Sequence, residues 1–281
     1  MNRTAVMGIC NVTPDSFSDG GRYFELKAAL DHCWRLIDQG ADLIDVGGES
    51  TRPGAGRVPA SEELRRVVPL TKELVQAGIV VSVDTMRSSV AAAAAQAGAH
   101  IINDVSGGLA DPEMLDVIAQ SNLVCSLTHW RGQSAAMDRL DHYGDVVSEV
   151  IAELGDRVRA ALAAGIKPTA IVLDPGLGFA KAGQNNWPLL AHIDRLAALG
   201  FPLLIGASRK RFLEDVKGPD KSLTDAGPNG RDAATAAVTA ASSLSGVWCV
   251  RVHEVAANAA GVRVARAILA ARQAFGGPAD A

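Results

Sequence analysis

Carboxylate and amide side chains directly follow several short apolar segments of this chain. Three of them are Asp84, Asn103 and Asp174. Their oxygens can accept hydrogen bonds from a flat heterocycle that bears N–H donors. Asn11, which follows the first apolar segment, can give an amide oxygen to a magnesium ion, since Mg²⁺ prefers oxygen ligands and shares them with phosphates.

Cations and further donors follow other apolar segments. These are Arg52, Lys210, Arg251 and His253. Arginine and lysine suit an anion such as phosphate or pyrophosphate. Apart from Lys210, the chain shows no nucleophile with an obvious activating base, so we favour a dissociative displacement of a phosphate-type leaving group over covalent catalysis.

Each of these residues also has an ordinary structural interpretation. Asn11 or any of the three acceptors could cap a helix or a turn. Lys210 and Arg251 could be solvated surface cations, and His253 a helix-entry residue without a ligand. Convergence of the whole set on one end of the strands favours a binding site.

The segment Asn11–Arg22, NVTPDSFSDGGR, separates the first apolar segment from the first helical pattern. Its turn-forming residues disfavour helix and strand, and loops of this length are usually functional or disordered. We predict that it is a mobile lid over an active site, with Asn11 at its base.

Positioning these residues requires alternating strands and helices. The predicted strands are Val6–Cys10, Leu43–Val46, Val80–Val83, His100–Ile102, Leu123–Leu127, Ala170–Leu173, Leu203–Ile205 and Val247–Val250. Amphipathic segments between them predict helices, including Ser61–Ala77 and Trp187–Leu199. In the first of these, Ser61 is the predicted N-cap and Pro69 predicts a break or kink. Eight such units predict a (β/α)₈ TIM barrel of class α/β, whose catalytic residues lie at the carboxyl ends of the strands. A doubly wound open sheet is the alternative, but no GxGxxG turn follows the first strand.

Composition limits the class of protein. The 281 residues are 48% hydrophobic with a net charge of −4, which gives no reason to expect nucleic acid or an acidic membrane as partner. No stretch approaches the roughly 20 apolar residues of a membrane span. The four separated cysteines predict buried free thiols rather than zinc ligands, and a cytoplasmic protein. We expect one domain over residues 1–274 and a disordered tail over 275–281.

Seven segments together closely resemble the dihydropteroate synthase family of folate biosynthesis, pterin-binding TIM barrels. In chain order they are NVTPDSFSDGG, DVGGESTRPGA, SVDTMR, INDVSGG, LDPGLGFAK, GASRKRF and RVHEV. The resemblance spans essentially the whole chain and is strongest to actinobacterial members.

The resemblance implies a transferase that condenses 6-hydroxymethyl-7,8-dihydropterin pyrophosphate with p-aminobenzoate, releasing pyrophosphate and 7,8-dihydropteroate. It implies that the C–O bond breaks first and that Asp84 stabilises the resulting pterin cation. It also implies a magnesium ion, inhibition by sulfonamides, and a homodimer that packs helices near the C-terminal part of the chain.

The resemblance assigns the candidate residues to three subsites. Pterin is bound by Asp84, Asn103, Asp174 and Lys210. Pyrophosphate and its magnesium are bound by Asn11, Arg52, Arg251 and His253, with Asn11 as the metal ligand. The p-aminobenzoate pocket is formed by Phe17, Thr51, Pro53, Phe179 and the stem of Lys210. The catalytic set is Asp84, Lys210, Arg251 and Asn11.

Two departures from the family pattern affect packing around these subsites. Thr128 stands where many members have methionine, and Arg211 stands where many have serine.

The alternative functions are a pterin-dependent methyltransferase and a non-catalytic pterin-binding paralogue. The former needs neither a pyrophosphate subsite nor the long first loop, and the intact site residues argue against the latter.

Overall fold

The structure, a computed structural model, describes residues 3–12, 22–49, 58–132, 140–216 and 230–275. The strands are β1 Ala5–Asn11, β2 Leu43–Gly47, β3 Val81–Asp84, β4 Ile101–Asp104, β5 Val124–Thr128, β6 Ile171–Asp174, β7 Leu204–Ile205 and β8 Cys249–Val252. The helices are α1 Arg22–Asp38, α2 Ala60–Gln76, α3 Ser88–Gln96, α4 Met114–Ser121, α5 Val146–Ala163, α6 Trp187–Ala191, α7 Ile193–Ala197, α8 Asp232–Leu244 and α9 Val255–Phe275.

The strands form one parallel sheet in the order β6-β5-β4-β3-β2-β1-β8-β7. Its two edges meet where Leu173 of β6 bridges Leu203, just before β7, and the Leu173 amide donates to the Pro202 carbonyl at 2.9 Å. The sheet is therefore closed into a barrel, which confirms the predicted (β/α)₈ fold and rules out the open sheet.

Side chains alternate between the barrel interior and the layer beneath the helices, as the two-residue period of a strand requires. Val83, Ile102 and Leu173 belong to the large outer cluster that packs against the helices. A separate small cluster fills the barrel floor and consists of Ala5, Met7, Leu43, Ile101, Val172, Leu204 and Cys249. Above that floor the inward-facing positions become polar, and the candidate site begins there.

The predicted N-cap and break in the second helix are wrong. Helix α2 begins after Pro59, whose carbonyl accepts from the amides of Glu62 and Glu63 at 3.0 and 3.1 Å, so Ser61 lies inside the helix. The helix also continues through Pro69. Pro69 is on the exposed face, where water can hydrogen-bond to the carbonyl that loses its N–H partner.

Most strand ends differ from the prediction by one or two residues, and two differences change the interpretation of the sequence. The segment predicted as one helix over Trp187–Leu199 is divided into α6 and α7 at His192, whose φ of −119° and ψ of 41° are not helical. Strand β8 lies two residues later than predicted, so Arg251 is inside the strand instead of following it. Charged side chains are rare in buried strands. The prediction therefore ended the strand before Arg251.

The remaining expectations concern thiols, membrane spans and the tail. All four cysteines are buried and free, as predicted. Across the part of the chain that the structure describes, no helix combines the length and apolarity that crossing a membrane requires. Helix α9 includes Phe275, one residue beyond the predicted end of the domain, and residues 276–281 lie outside the described ranges.

Candidate active site

Polar side chains from neighbouring strands meet at the carboxyl end of the barrel. Asn11, Gly47, Asp84 and Asn103 are in register across β1 to β4, and Asp174 of β6 is in register with Thr128 of β5. Together with Asp45 of β2, Arg251 of β8 and two residues that follow β7 and β8, the polar side chains among them form what we call the mouth. It consists of Asn11, Asp45, Asp84, Asn103, Asp174, Lys210, Arg251 and His253. The carboxyl ends of parallel barrel strands all reach this rim, so sequence positions far apart become neighbours.

Arg251 is the centre of the mouth. Its Nε donates to Asp45 Oδ2 at 2.6 Å, and its Nη2 donates to Asp84 Oδ2 at 2.7 Å. Asn103 Nδ2 donates to the same Asp45 oxygen at 3.2 Å. One guanidinium therefore balances two buried carboxylates, and these two bonds leave further N–H groups of the arginine for a ligand.

Asp45 was missed by the sequence analysis. It lies within the predicted strand Leu43–Val46, whereas the other candidate residues follow their predicted strands. Its position in the strand indicated that it faces the barrel interior, because Leu43, Asp45 and Gly47 are alternate residues and therefore share one face. Asp45 is fully buried, and its Oδ1 has no hydrogen-bond partner among the described residues.

Asp84 is buried and close to other carboxylates. Burial raises the pKa of Asp84 to about 7, and Asp45 also raises it, whereas the Arg251 charge opposes the rise. A carboxyl whose pKa is near neutrality gains or loses its proton easily at physiological pH, which is typical of functional sites.

Lys210 and Asp174 face each other across Gly206, at the end of β7. A Cβ atom at Gly206 would lie 3.4 Å from Asp174 Oδ2 and 4.0 Å from Lys210 Nζ, so the glycine leaves this space open. Burial lowers the pKa of Lys210 to about 8, against the attraction of Asp174, and Arg251 lowers it further. Burial also raises the pKa of Asp174, which Lys210 opposes.

Lys210 also contacts the loop that follows β6. Its Nζ donates to the Leu177 carbonyl and lies 4.3 Å from the centroid of the Phe179 ring, a cation–π distance. Phe179 is half-buried. An aromatic ring beside a lysine stem can form one wall of a pocket for a small aromatic acid.

His253 is tied to the loop after β7. Its backbone amide donates to Ser208 Oγ at 3.1 Å, and the same Oγ lies 2.9 Å from His253 Nδ1. Where Oγ donates its proton to Nδ1, the proton of a neutral ring is on Nε2. Arg209, which precedes Lys210 in sequence, instead pairs with Asp232 of α8 at 2.7 Å and lies outside the mouth.

Asn11 lies beside Gly47 on the mouth's rim. A Cβ atom at Gly47 would be 2.9 Å from Asn11 Oδ1, so a side chain at this position would displace the amide. Within the described ranges no three His, Cys, Asp or Glu side chains form a metal cage. A single amide oxygen nevertheless fits magnesium, which is commonly held by one or two protein ligands together with substrate phosphates and water.

Several buried polar atoms of the barrel interior have no hydrogen-bond partner among the described residues. They are Asp45 Oδ1, Ser82 Oγ, Asn103 Oδ1, Ser126 Oγ and Thr128 Oγ1. Buried polar atoms are normally paired, so this set is suited to a polar ligand. Thr128, the first departure from the family pattern, belongs to it, whereas Arg211 is exposed.

Of the predicted site residues, the structure gathers Asn11, Asp84, Asn103, Asp174, Lys210, Arg251 and His253 at the mouth, with Phe179 next to Lys210. Phe17, Thr51, Arg52 and Pro53 lie outside the described residues, as does most of the predicted lid. The two ends of the second loop are described. Val58 N donates to Glu49 Oε1 at 2.9 Å, and Arg87 Nη2 donates to the Val58 carbonyl at 2.6 Å.

Comparison with known proteins identifies the family of this chain. Residues 7–253 match the family of pterin-binding enzymes. The dihydropteroate synthase of Mycobacterium leprae is 50% identical over 266 residues, which cover 94% of this chain and 93% of that protein.

Solved structures extend the comparison. The dihydropteroate synthase of Xanthomonas albilineans with 4-aminobenzoic acid has a TM-score of 0.87 and 44% identity, covering 96% of this chain and 94% of its own. The Yersinia pestis dihydropteroate synthase in complex with a sulfonamide drug has a TM-score of 0.86 and 38% identity, covering 95% of each chain.

Proposed function

This chain belongs to the pterin-binding enzyme family, and from that premise we infer that it is a dihydropteroate synthase, a transferase of folate biosynthesis and a sulfonamide target. The observation that carries this conclusion is 50% identity with a dihydropteroate synthase over nearly the full length of both chains. The substrates are 6-hydroxymethyl-7,8-dihydropterin pyrophosphate and p-aminobenzoate. The products are 7,8-dihydropteroate and pyrophosphate.

The pterin is proposed to bind among Asp84, Asn103, Asp174 and Lys210. The oxygens of the first three can accept from the ring N–H groups, and Asn103 Oδ1 has no partner among the described residues. Lys210 donates to a ring acceptor from the other side of Gly206. Asp45 holds Arg251 next to this pocket through the 2.6 Å bond to Nε.

The pyrophosphate is proposed to bind Arg251 and His253, with Arg52 and Asn11 assisting. Both Arg251 and the Nε2–H of a neutral His253 ring can donate to anionic oxygens. Asn11 would hold a magnesium ion, which when bound supplies positive charge to the pyrophosphate oxygens.

Charge placement then favours a dissociative reaction. The pterin C–O bond breaks with both electrons leaving on pyrophosphate, whose charge the cations stabilise. Ionised Asp84 stabilises the positive charge that develops on the pterin. The amine nitrogen of p-aminobenzoate donates its lone pair to the cationic carbon and then loses a proton.

The p-aminobenzoate ring is proposed to lie against Phe179 and the stem of Lys210, together with Thr51, Pro53 and Phe17. The 4.3 Å approach of Lys210 Nζ to the Phe179 ring supports an aromatic slot bordered by a cation. Such a slot suits an aromatic carboxylate. A sulfonamide of the same shape competes for it.

The activity is tested by measuring pyrophosphate release with purified protein, magnesium and each substrate separately or together. We expect release to require both substrates and to be accompanied by 7,8-dihydropteroate. Release with the pterin substrate alone would indicate hydrolysis. Pterin binding without any release would favour a non-catalytic paralogue.

We further propose a cytoplasmic homodimer, without nucleic-acid or membrane partners. Four buried free thiols suit a reducing compartment. Val264 and Ile268, one turn apart on α9, are 56% and 40% exposed and offer an apolar stripe for a second copy. Analytical ultracentrifugation of the wild type and of Val264→Glu tests this, and a wild-type monomer at micromolar concentration would refute it.

A further inference from the structure

Lys181, at the end of the loop after β6, is buried but not part of the mouth. Only 5% of its surface is exposed. Its Nζ lies 2.8 Å from His129 Nδ1, 3.0 Å from the Gly176 carbonyl and 3.0 Å from the Phe179 carbonyl. An ammonium group has three donors, and here it meets three acceptors.

His129 links this lysine to the protein surface. Its ring is buried, and its Nε2 lies 2.9 Å from Glu153 Oε2 on α5. Because Nε2–H must donate to the carboxylate, Nδ1 remains as the acceptor for Lys181. Hydrogen bonding to His129 lowers the pKa of Glu153 to about 2, against its partial burial, so the carboxylate is ionised.

The chain Lys181–His129–Glu153 holds one proton between lysine and histidine. Burial lowers the pKa of both groups, that of His129 to about 4. With the proton on Nζ the ammonium donates to Nδ1. With it on the ring, Nδ1–H donates to the neutral amine, whose two N–H groups still serve both carbonyls. In either form each of these hydrogen bonds is kept, while Arg131 also pairs with the Glu153 carboxylate, its Nε lying 3.1 Å from both oxygens.

The two carbonyls bound by Lys181 bracket the segment that reaches the mouth. The first carbonyl belongs to Gly176 and the second to Phe179. Leu177 and Gly178 lie between them, and the Leu177 carbonyl accepts from Lys210. Ala180 has a φ of +45°, unusual for a residue with a side chain, so local preference does not maintain this turn. Bonds to the rest of the protein help to keep it in place: Tyr143 Oη donates to the Ala180 carbonyl at 3.0 Å, Asn186 Oδ1 accepts from Gly178 N at 2.7 Å, and Lys181 ties the loop to His129.

We propose that Lys181, held by His129 and Glu153, is a positioning residue for the p-aminobenzoate site. It fixes the loop after β6 so that the Phe179 ring and the Leu177 carbonyl stay in place against Lys210. This inference rests on the proposed placement of p-aminobenzoate beside Phe179. It assigns Lys181 no contact with either substrate.

The first test replaces the lysine by a side chain of similar length without donors, Lys181→Met. We expect the KM for p-aminobenzoate to rise about tenfold or more and the KM for the pterin pyrophosphate to rise by a clearly smaller factor. The pterin contacts of Asp84, Asn103 and Arg251 do not involve this loop, whereas that of Lys210 does. Lys167→Met, at an exposed lysine that bonds Asn122 at 3.1 Å, is the control and should change neither constant.

A second pair of variants avoids burying a new side chain. Glu153→Ala removes the carboxylate from His129, whereas Glu149→Ala, one turn earlier on α5, removes a carboxylate that contacts Arg131 but not His129. We expect the KM for p-aminobenzoate to rise about threefold or more in the first variant only. If Lys181→Met does not fold, this pair decides the question.

Two results would overturn the proposal. One is an unchanged KM for p-aminobenzoate in Lys181→Met, and the other is a parallel rise of both KM values, which indicates a general structural role. Equal behaviour of the Glu153 and Glu149 variants would also refute it. Absence of p-aminobenzoate-dependent turnover in the wild type would instead refute the proposed function, so the two failures are distinguishable.

Discussion

Replacing Asp84 by asparagine is expected to lower activity and raise stability. The substitution preserves size but removes the charge that faces the developing pterin cation. Removing a comparable preorganised electrostatic contact lowers turnover by about 10² to 10³. We therefore expect kcat to fall by that factor, even though Arg251 retains its 2.6 Å bond to Asp45.

The stability change follows from the pKa. Burial moves the pKa of Asp84 from 3.8 to about 7, which corresponds to about 4 kcal/mol of preference for the neutral form in the folded protein. The folded state holds this proton more tightly than the unfolded state, so wild type loses stability as the pH rises from about 4 to about 7. Asparagine does not titrate. The stability advantage of Asp84→Asn should therefore grow by up to about 4 kcal/mol over this pH range.

The assay is urea unfolding at pH 5 and pH 8, together with steady-state kinetics at the higher pH. Asp104→Asn is the matched control, because Asp104 is also a buried carboxylate on β4 but bonds to Ser106 and Gly108 away from the mouth. Burial raises the pKa of Asp104 as well, so this variant is a control for the kinetics only, and it should keep its kcat. Unchanged kcat in Asp84→Asn, or a loss of stability that is the same at both pH values, would refute the reasoning.

Three further predictions concern the same mouth. Arg251→Ala should raise the KM for the pterin pyrophosphate on the order of a hundredfold, measured by steady-state kinetics, and an unchanged KM would contradict the anion site. The variant should also be less stable to urea, because the charges of Asp45 and Asp84 lose their partner. The pH profile of kcat/KM should be bell-shaped, falling below about pH 7 as Asp84 is protonated and above about pH 8 as Lys210 loses its charge. A flat profile from about pH 6 to about pH 9 would contradict these assignments. Phe179→Ala should raise both the KM for p-aminobenzoate and the inhibition constant of a sulfonamide about tenfold, measured by competition; an unchanged KM removes Phe179 from the pocket.

Much of the fold follows from local sequence. Alternating β-branched segments and amphipathic segments predicted the (β/α)₈ order, and glycines such as Gly40 and Gly98, with φ of +107° and +92°, end helices as their type suggests. Asp84, Asn103 and Asp174 could be identified because each directly follows a predicted strand; in the structure Asp84 and Asp174 end their strands, and Asn103 is one residue before the end of β4. Strand ends differed from the prediction where a charged residue lies inside a strand, as Arg251 does in β8.

The sequence by itself determined the class of fold, the family, and which polar residues follow the strands. Only the tertiary structure decided their partners. Arg251 reaches Asp45 across 206 positions, and Lys181 reaches His129 across 52. The physical reason is closure of the barrel, because the register between strands sets which side chains share a layer and which face the helices. That register depends on all eight strands at once, and no local segment contains it.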